Sequence, residues 1–345
     1  MALRSAFESS DTTTERECAP MSANARPAPH RVLVFGASGH VGAFAADAIA
    51  GSNRNVALRV ATSSVDKAGE LKARYPSAEI VQADYMDLQS LVAAFDGVDA
   101  AFLITPDFRI DEQRAMINVC AAAHAAGTQP HLVKLTGVTI GINNANELRP
   151  SLREYPGPAL QYQQARAVLN ASGLPVSFLN SFAYFMDDLL TVWLLPLLNR
   201  RVLSAPFDRS TTFVDTRDLG EAAARLLLEP HDREHDGYMH HVTGTERIRF
   251  SEVATMLTEV LGVEITYEDD PQAFKDDVEE VVNMHFGPGA TDYFVEFCLN
   301  EQKEEPLFIV TDVLQHLLGR EPRTLRDWIE EHKSAFFPES TALPS

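Results

Sequence analysis

The segment Arg31–Gly42, RVLVFGASGHVG, constrains the fold more than any other. A short apolar, β-branched run breaks into three glycines spaced three apart, and the amphipathic stretch VGAFAADAIA follows at once. Strand, glycine turn and helix in that order open a βαβ unit. The three glycines then serve a tight turn, a close backbone approach to a pyrophosphate, and close packing of helix on strand. Free N–H groups at the helix start, together with the helix dipole, favour phosphate charge. The segment therefore predicts a dinucleotide cradle made by Gly36, Ser38, Gly39, His40, Val41 and Gly42.

Strand-like and helix-like runs alternate after it. Arg31–Phe35, Val56–Ala61, Glu79–Gln82, Asp99–Leu103, Leu132–Thr136 and Val176–Asn180 read as strands; Val41–Ala50, Asp66–Arg74, Asp87–Phe95, Asp111–Ala126 and Leu160–Ala171 read as helices. That rhythm means parallel strands joined by right-handed crossovers. The expected fold is α/β, a Rossmann-type doubly wound parallel sheet with a smaller α+β C-terminal lobe. Residues 1–30 read as a disordered leader, 31–235 as the dinucleotide-binding domain and 236–345 as a lobe that forms the substrate cleft. The chain is expected to cross between the two around 180–235. Asp218 reads as the N-cap of an Ala-rich helix, and GYMHHVTG as a strand of the smaller lobe.

Composition excludes several partners. With a formal net charge of -20 over 345 residues, the surface field repels nucleic-acid backbones. No stretch approaches the roughly 20 apolar residues needed to span a bilayer. Cys18, Cys120 and Cys298 form no CxxC pair and leave an odd count, which points away from a disulfide framework or structural zinc and toward a reducing cytoplasm.

The end of the second strand discriminates the nicotinamide cofactors. NAD sites usually carry an acid there for the ribose hydroxyls, whereas this chain has Thr62, Ser63 and Ser64. Nothing there repels a 2′-phosphate, and Arg59 and Lys67 lie nearby in sequence. The expectation is NADP(H) in preference to NAD(H).

For catalysis, QYQQAR places Tyr162 and Arg166 four apart on one helix face, where a cation lowers a phenol's pKa. Thr136, closing the fifth strand, is the candidate auxiliary hydroxyl. Arginine supplies charge but does not shuttle protons. No metal is expected: His231 and His235 sit in a charged loop segment, and His240 and His241 point to opposite faces of a strand.

At this point the sequence resembles the NmrA-like family of atypical short-chain dehydrogenase/reductases. The segments VFGASGHVG, VQADYMDLQSLVAAFDGVDAAFLITP, NASGLPVSFLNSFAYFMDDLL and FVDTRDLGEAAARLL carry the likeness, with the tail VTDVLQHLLGREPRTLRDWIEEHKSAF. The resemblance implies a Rossmann-type domain with NADP(H) and a cleft under a small C-terminal lobe. It places Asp84 by the adenine and the Leu103–Pro106 segment, with Thr105, beneath the cofactor. It also places Asn180, Phe182, Tyr184, Phe185 and Met186 around the nicotinamide and substrate. Relatives commonly have Arg-Pro where this chain has Asn180 and Ser181, a change that removes a cation from the cleft. The expected activity is reduction of a small, largely apolar electrophile such as a quinone, enone, imine or carbonyl, with the proton from Tyr162, Tyr184 or water. Two other readings stay open: an NADP(H)-sensing regulator that acts through protein partners, and a cofactor-assisted cyclase or isomerase.

Overall fold

The computed structural model describes residues 28–154, 157–229, 236–303 and 308–336. The expected leader lies almost wholly outside that range, as do His231 and His235. Seven strands form one parallel sheet: β1 (His30–Val34), β2 (Val56–Thr62), β3 (Glu79–Gln82), β4 (Ala100–Leu103), β5 (His131–Thr136), β6 (Val176–Ser181) and β7 (Tyr238–Val242). Their spatial order is β7-β6-β5-β4-β1-β2-β3, with Val32 of β1 in register with Leu58 on one side and Ala100 on the other. The order reverses between β1 and β4. A crevice therefore opens at the carboxyl ends of those strands, where doubly wound folds hold ligands.

Both sheet faces are covered, which explains why the strands are near-continuous apolar runs. Val32 and Val34 face one helical layer, α1 (His40–Ala50), α2 (Val65–Arg74) and α6 (Thr216–Leu228). Leu33 and Phe35 face the other, α3 (Leu88–Phe95), α4 (Glu112–Ala125) and α5 (Pro158–Asn170). A separate core lies under α7 (Phe250–Leu261), α8 (Pro271–Phe286) and α9 (Ala290–Lys303), built around Trp193, Phe213, Phe250 and Trp328.

Three local expectations change. Tyr238–Val242 does not open the smaller lobe; it pairs in parallel with β6 as the sheet's last strand. The helix Val313–Leu318 likewise returns to the nucleotide-binding side, where Leu314 packs in the same core as Leu219 and Leu227 of α6. The chain thus crosses between the two halves more than once after residue 236. Asp215, not Asp218, caps α6, accepting from the Arg217 N–H at 2.8 Å. Asp218 is fully buried in the helix, where Arg320 reaches it at 2.8 Å and Arg323 also bonds it. Those contacts clip the C-terminal segment to α6.

Candidate active site

The glycine turn shapes one end of the site. Gly36 adopts φ +70, and the Gly39 N–H folds back to its carbonyl at 2.9 Å. A Cβ on Gly42 would lie 2.3 Å from that same carbonyl, so any side chain there would force the helix off the strand. No side chain caps α1 at Gly39, and its first amides remain available to an anion. Such a cradle fits a dinucleotide pyrophosphate. His40 Nδ1 lies 3.0 Å from Asp187 Oδ2, which ties the turn to the segment Met186–Leu190; Thr216 also donates to Asp187. The bond to Asp187 holds the His40 pKa above its ordinary value.

From this turn a cavity of about 500 Å³ extends past the ends of β4, β5 and β6 into the smaller lobe. Gly36, Gly39, His40, Val41, Gly42 and Thr105 line its end at the glycine turn, and Thr136, Tyr162, Phe182, Tyr184 and Phe185 also line it. The far wall is aromatic: Phe286, Tyr293, Phe294 and Phe297 come from α8 and α9. Ser181 and Thr211 also line it, with buried hydroxyls that have no partner among the described residues.

Tyr162 stands at the centre of this space. Its hydroxyl donates to Asp107 Oδ1 at 2.8 Å, and its ring lies against Gly137, where a Cβ would come within 3.0 Å of Cε2. Arg166 is not its cationic partner. The Arg166 side chain turns instead to the carbonyls of Ile142 and Asn143, at 3.5 and 3.3 Å. The cation over the Tyr162 ring is Lys134 on β5, 5.6 Å from the centroid. Lys134 is itself held by Glu112 at 2.7 Å and Thr105 at 3.1 Å, and Thr105 also bonds Glu112. Burial first, then the charges of Asp107 and Glu112, push the Tyr162 phenol well up. Asp107 is raised by burial to about 6, against the opposing pull of the Tyr162 hydrogen bond. Asp188, on the same wall, is raised by burial to about 7.

Tyr184 offers the cavity its ring while its hydroxyl is engaged elsewhere. It donates to Glu301 at 2.6 Å and receives from Arg209, which itself reaches Glu301 at 2.7 Å. Several other expected residues lie apart from the cavity wall. Asn180 is fully buried, and its amide clamps both the N–H and the carbonyl of Val138, at 2.7 and 2.9 Å. Met186 and Leu103 belong to the cores. Ser38 and Ser63 are exposed, and Thr62 bonds the backbone of Ser64. Asp84 makes a local turn with the Met86 N–H at 2.8 Å. Arg59 is 5% exposed and bound to Glu79 at 2.8 Å and to the carbonyls of Ala94 and Asp96, so it is not free for a 2′-phosphate.

Sequence reasoning missed Lys134, Glu112 and Asp107. A lone lysine inside the apolar strand HLVKLT is the one signal that pointed to the first two, because a buried cation needs a carboxylate. No group of three or more His, Cys, Asp or Glu side chains converges to hold a metal among the described residues.

Comparison with known proteins places the chain among relatives of the same fold. The (4-alkanoyl-5-oxo-2,5-dihydrofuran-3-yl)methyl phosphate reductase of Streptomyces griseus is 30% identical, over 89% of this chain and 100% of its own length. The NAD(P)H azoreductase of Xenophilus azovorans is 24% identical over 88% of this chain and 99% of its own. Among solved structures, the NADPH-dependent quinone oxidoreductase of Escherichia coli in complex with NADPH superposes with a TM-score of 0.71, at 21% identity, over 87% of this chain and 99% of that one. The model of the NmrA-like family matches residues 29–329, and the chain belongs to that family.

Proposed function

We propose that the protein is an NADP(H)-dependent reductase of a small, uncharged, largely apolar electrophile: a quinone, enone, imine or carbonyl compound. The observation that carries this reading is the continuity of one cavity, from the uncapped start of α1 past Tyr162 to the wall of Phe286, Tyr293, Phe294 and Phe297. A nicotinamide bound there supplies hydride. The chain's own residues do the rest. Gly36, Gly39 and Gly42 admit the pyrophosphate, and Thr62, Ser63 and Ser64 offer hydroxyls and no acid to a 2′-phosphate. The aromatic wall offers a flat acceptor a stacking surface. Tyr162, whose side chain lines the same space, protonates the reduced acceptor, and Thr136, which also lines it, offers a second hydroxyl.

The names of the relatives support the reaction class, since their printed activities are reductions. Steady-state oxidation of NADPH and NADH, followed by absorbance across a panel of quinones, enones, imines, aldehydes and their phosphate-bearing analogues, tests the proposal. Turnover of neutral acceptors with NADPH is the expected result. Tight NADPH binding with no turnover on any acceptor would overturn it in favour of a sensor.

A further inference from the structure

Reduction of a neutral acceptor leaves an anion on oxygen, nitrogen or carbon, and that anion must be protonated within the cavity. If Tyr162 alone gave the proton, it would be left as a buried phenolate. Burial and the neighbouring Asp107 and Glu112 all disfavour that species. The structure provides another route. Asp107 stands 2.8 Å behind the Tyr162 hydroxyl, and both side chains line the same cavity.

We infer that Asp107 is the proton-holding partner of Tyr162, passing its own proton through the phenol to the reduced acceptor. This rests on the reductase reading above. In the balanced step the acceptor gains two electrons and a hydrogen as hydride from the reduced nicotinamide, which is oxidised. With Asp107 protonated, it donates across the 2.8 Å contact to the Tyr162 oxygen, and the Tyr162 O–H bond breaks toward the acceptor anion as the Asp107 O–H bond breaks toward that oxygen. Tyr162 ends as a neutral phenol and Asp107 as a carboxylate. Water restores the Asp107 proton once the product has left.

The surroundings of Asp107 suit this role. Tyr162 on α5 donates to it, Glu112 on α4 disfavours its ionised form, and Lys134 on β5 favours that form while being held by Glu112 and Thr105. Asp188, from the segment after β6, senses the same charge, and Tyr293 on α9 acts on Tyr162. Burial raises Asp107 to about 6, which favours its acid form at mildly acidic pH. Asp107 acts through Tyr162 and is therefore a positioning residue. Lys134, held by Glu112 and Thr105, lies over the Tyr162 ring.

Two measurements test the inference. In the protein without cofactor, carboxyl carbon-13 NMR should show Asp107 titrating near 6 and moving upward in Tyr162→Phe, because the phenol's hydrogen bond favours the carboxylate. A midpoint in the ordinary carboxylate range would overturn the proposal. In turnover, kcat for the best neutral acceptor of the panel should fall as pH rises through the Asp107 titration. Asp107→Asn should abolish that limb and lower kcat for the neutral acceptor by about tenfold more than kcat for a triphenylmethane dye cation, which accepts hydride without a proton. A limb that persists in Asp107→Asn, or equal losses on both acceptors, would overturn the proposal and leave the reductase reading intact. Absence of turnover on every acceptor would overturn both.

Discussion

Each half of the molecule buries a cation, a carboxylate and a hydroxyl together, and the two groups are used differently. On the sheet side, Lys134 and Glu112 are 2% and 3% exposed and share Thr105. In the smaller lobe, Arg209 and Glu301 are 1% and 8% exposed and share the Tyr184 hydroxyl. Arginine is a planar fork, and here it lies 4.6 Å over the Phe250 ring while bonding Glu301, Tyr184 and the Pro206 carbonyl. That arrangement consumes the tyrosine and bolts the lobe together. Lysine is a point charge; it takes Thr105 as its hydroxyl, so Tyr162 is left to bond Asp107. The choice of hydroxyl partner decides which tyrosine the buried ion pair engages: Tyr184 in the smaller lobe, and not Tyr162, the proposed proton donor, on the sheet side.

Removing the bolt should have the largest effect. Arg209→Ala leaves Glu301 buried without its cation and strips the Phe250 face, which should cost about 3–5 kcal/mol of stability in urea unfolding. A loss near zero would break the contrast. Next in size, Tyr162→Phe should lower kcat for neutral acceptors by about a hundredfold with little change in KM. Tyr184→Phe should act instead on stability, by about 1 kcal/mol. Equal catalytic losses at the two tyrosines would remove the distinction between them.

Ionisation in the cavity wall gives a third, smaller effect. Asp188 is raised to about 7, so the folded protein binds its proton more tightly than the unfolded chain does. Stability from this group is present at low pH and falls as pH rises from its unfolded value through about 7. Asp188→Asn should therefore be more stable than the parent above that range, by about 2 kcal/mol, with the advantage shrinking toward acidic pH; thermal melts across pH check this. Smallest is the cofactor preference. Ser63→Asp should shift the NADPH to NADH ratio of kcat/KM by about tenfold toward NADH, because a carboxylate repels the 2′-phosphate. An unchanged ratio would move the phosphate site away from the end of β2.

Much of the fold was legible in the chain because its signals are local. The apolar runs that mark β1 to β6 need only two buried faces, and the six expected strands lie within a residue or two of those observed. Capping was harder to read. Asp215 and Asp218 both precede apolar residues of α6, and only Arg320 and Arg323, about a hundred positions later, decide that Asp218 is an internal ion-pair partner. The same distance in sequence hid β7, whose partner is β6 across the intervening lobe.

The candidate site divides along the same line. The glycine turn is a contiguous motif whose steric demand, a Gly42 with no room for Cβ, is written into a few adjacent residues. Tyr162 was visible as a phenol on the helix after the fifth strand. Its surroundings were not: helical spacing offered Arg166, whereas the tertiary packing sends Arg166 to a loop and brings Lys134 over the ring. The aromatic wall was also hidden, because Phe286, Tyr293, Phe294 and Phe297 are ordinary amphipathic helix residues until α8 and α9 turn them toward the crevice.

The sequence by itself determined the strand–turn–helix opening, the parallel sheet and the class of molecule its glycines admit, since backbone sterics and hydrophobic periodicity act over a few residues. Only the tertiary structure decided where the charges stand. The pKa of Asp107, the orientation of Tyr162 and the commitment of Tyr184 depend on desolvation and on groups brought together from distant segments, and no local pattern encodes either.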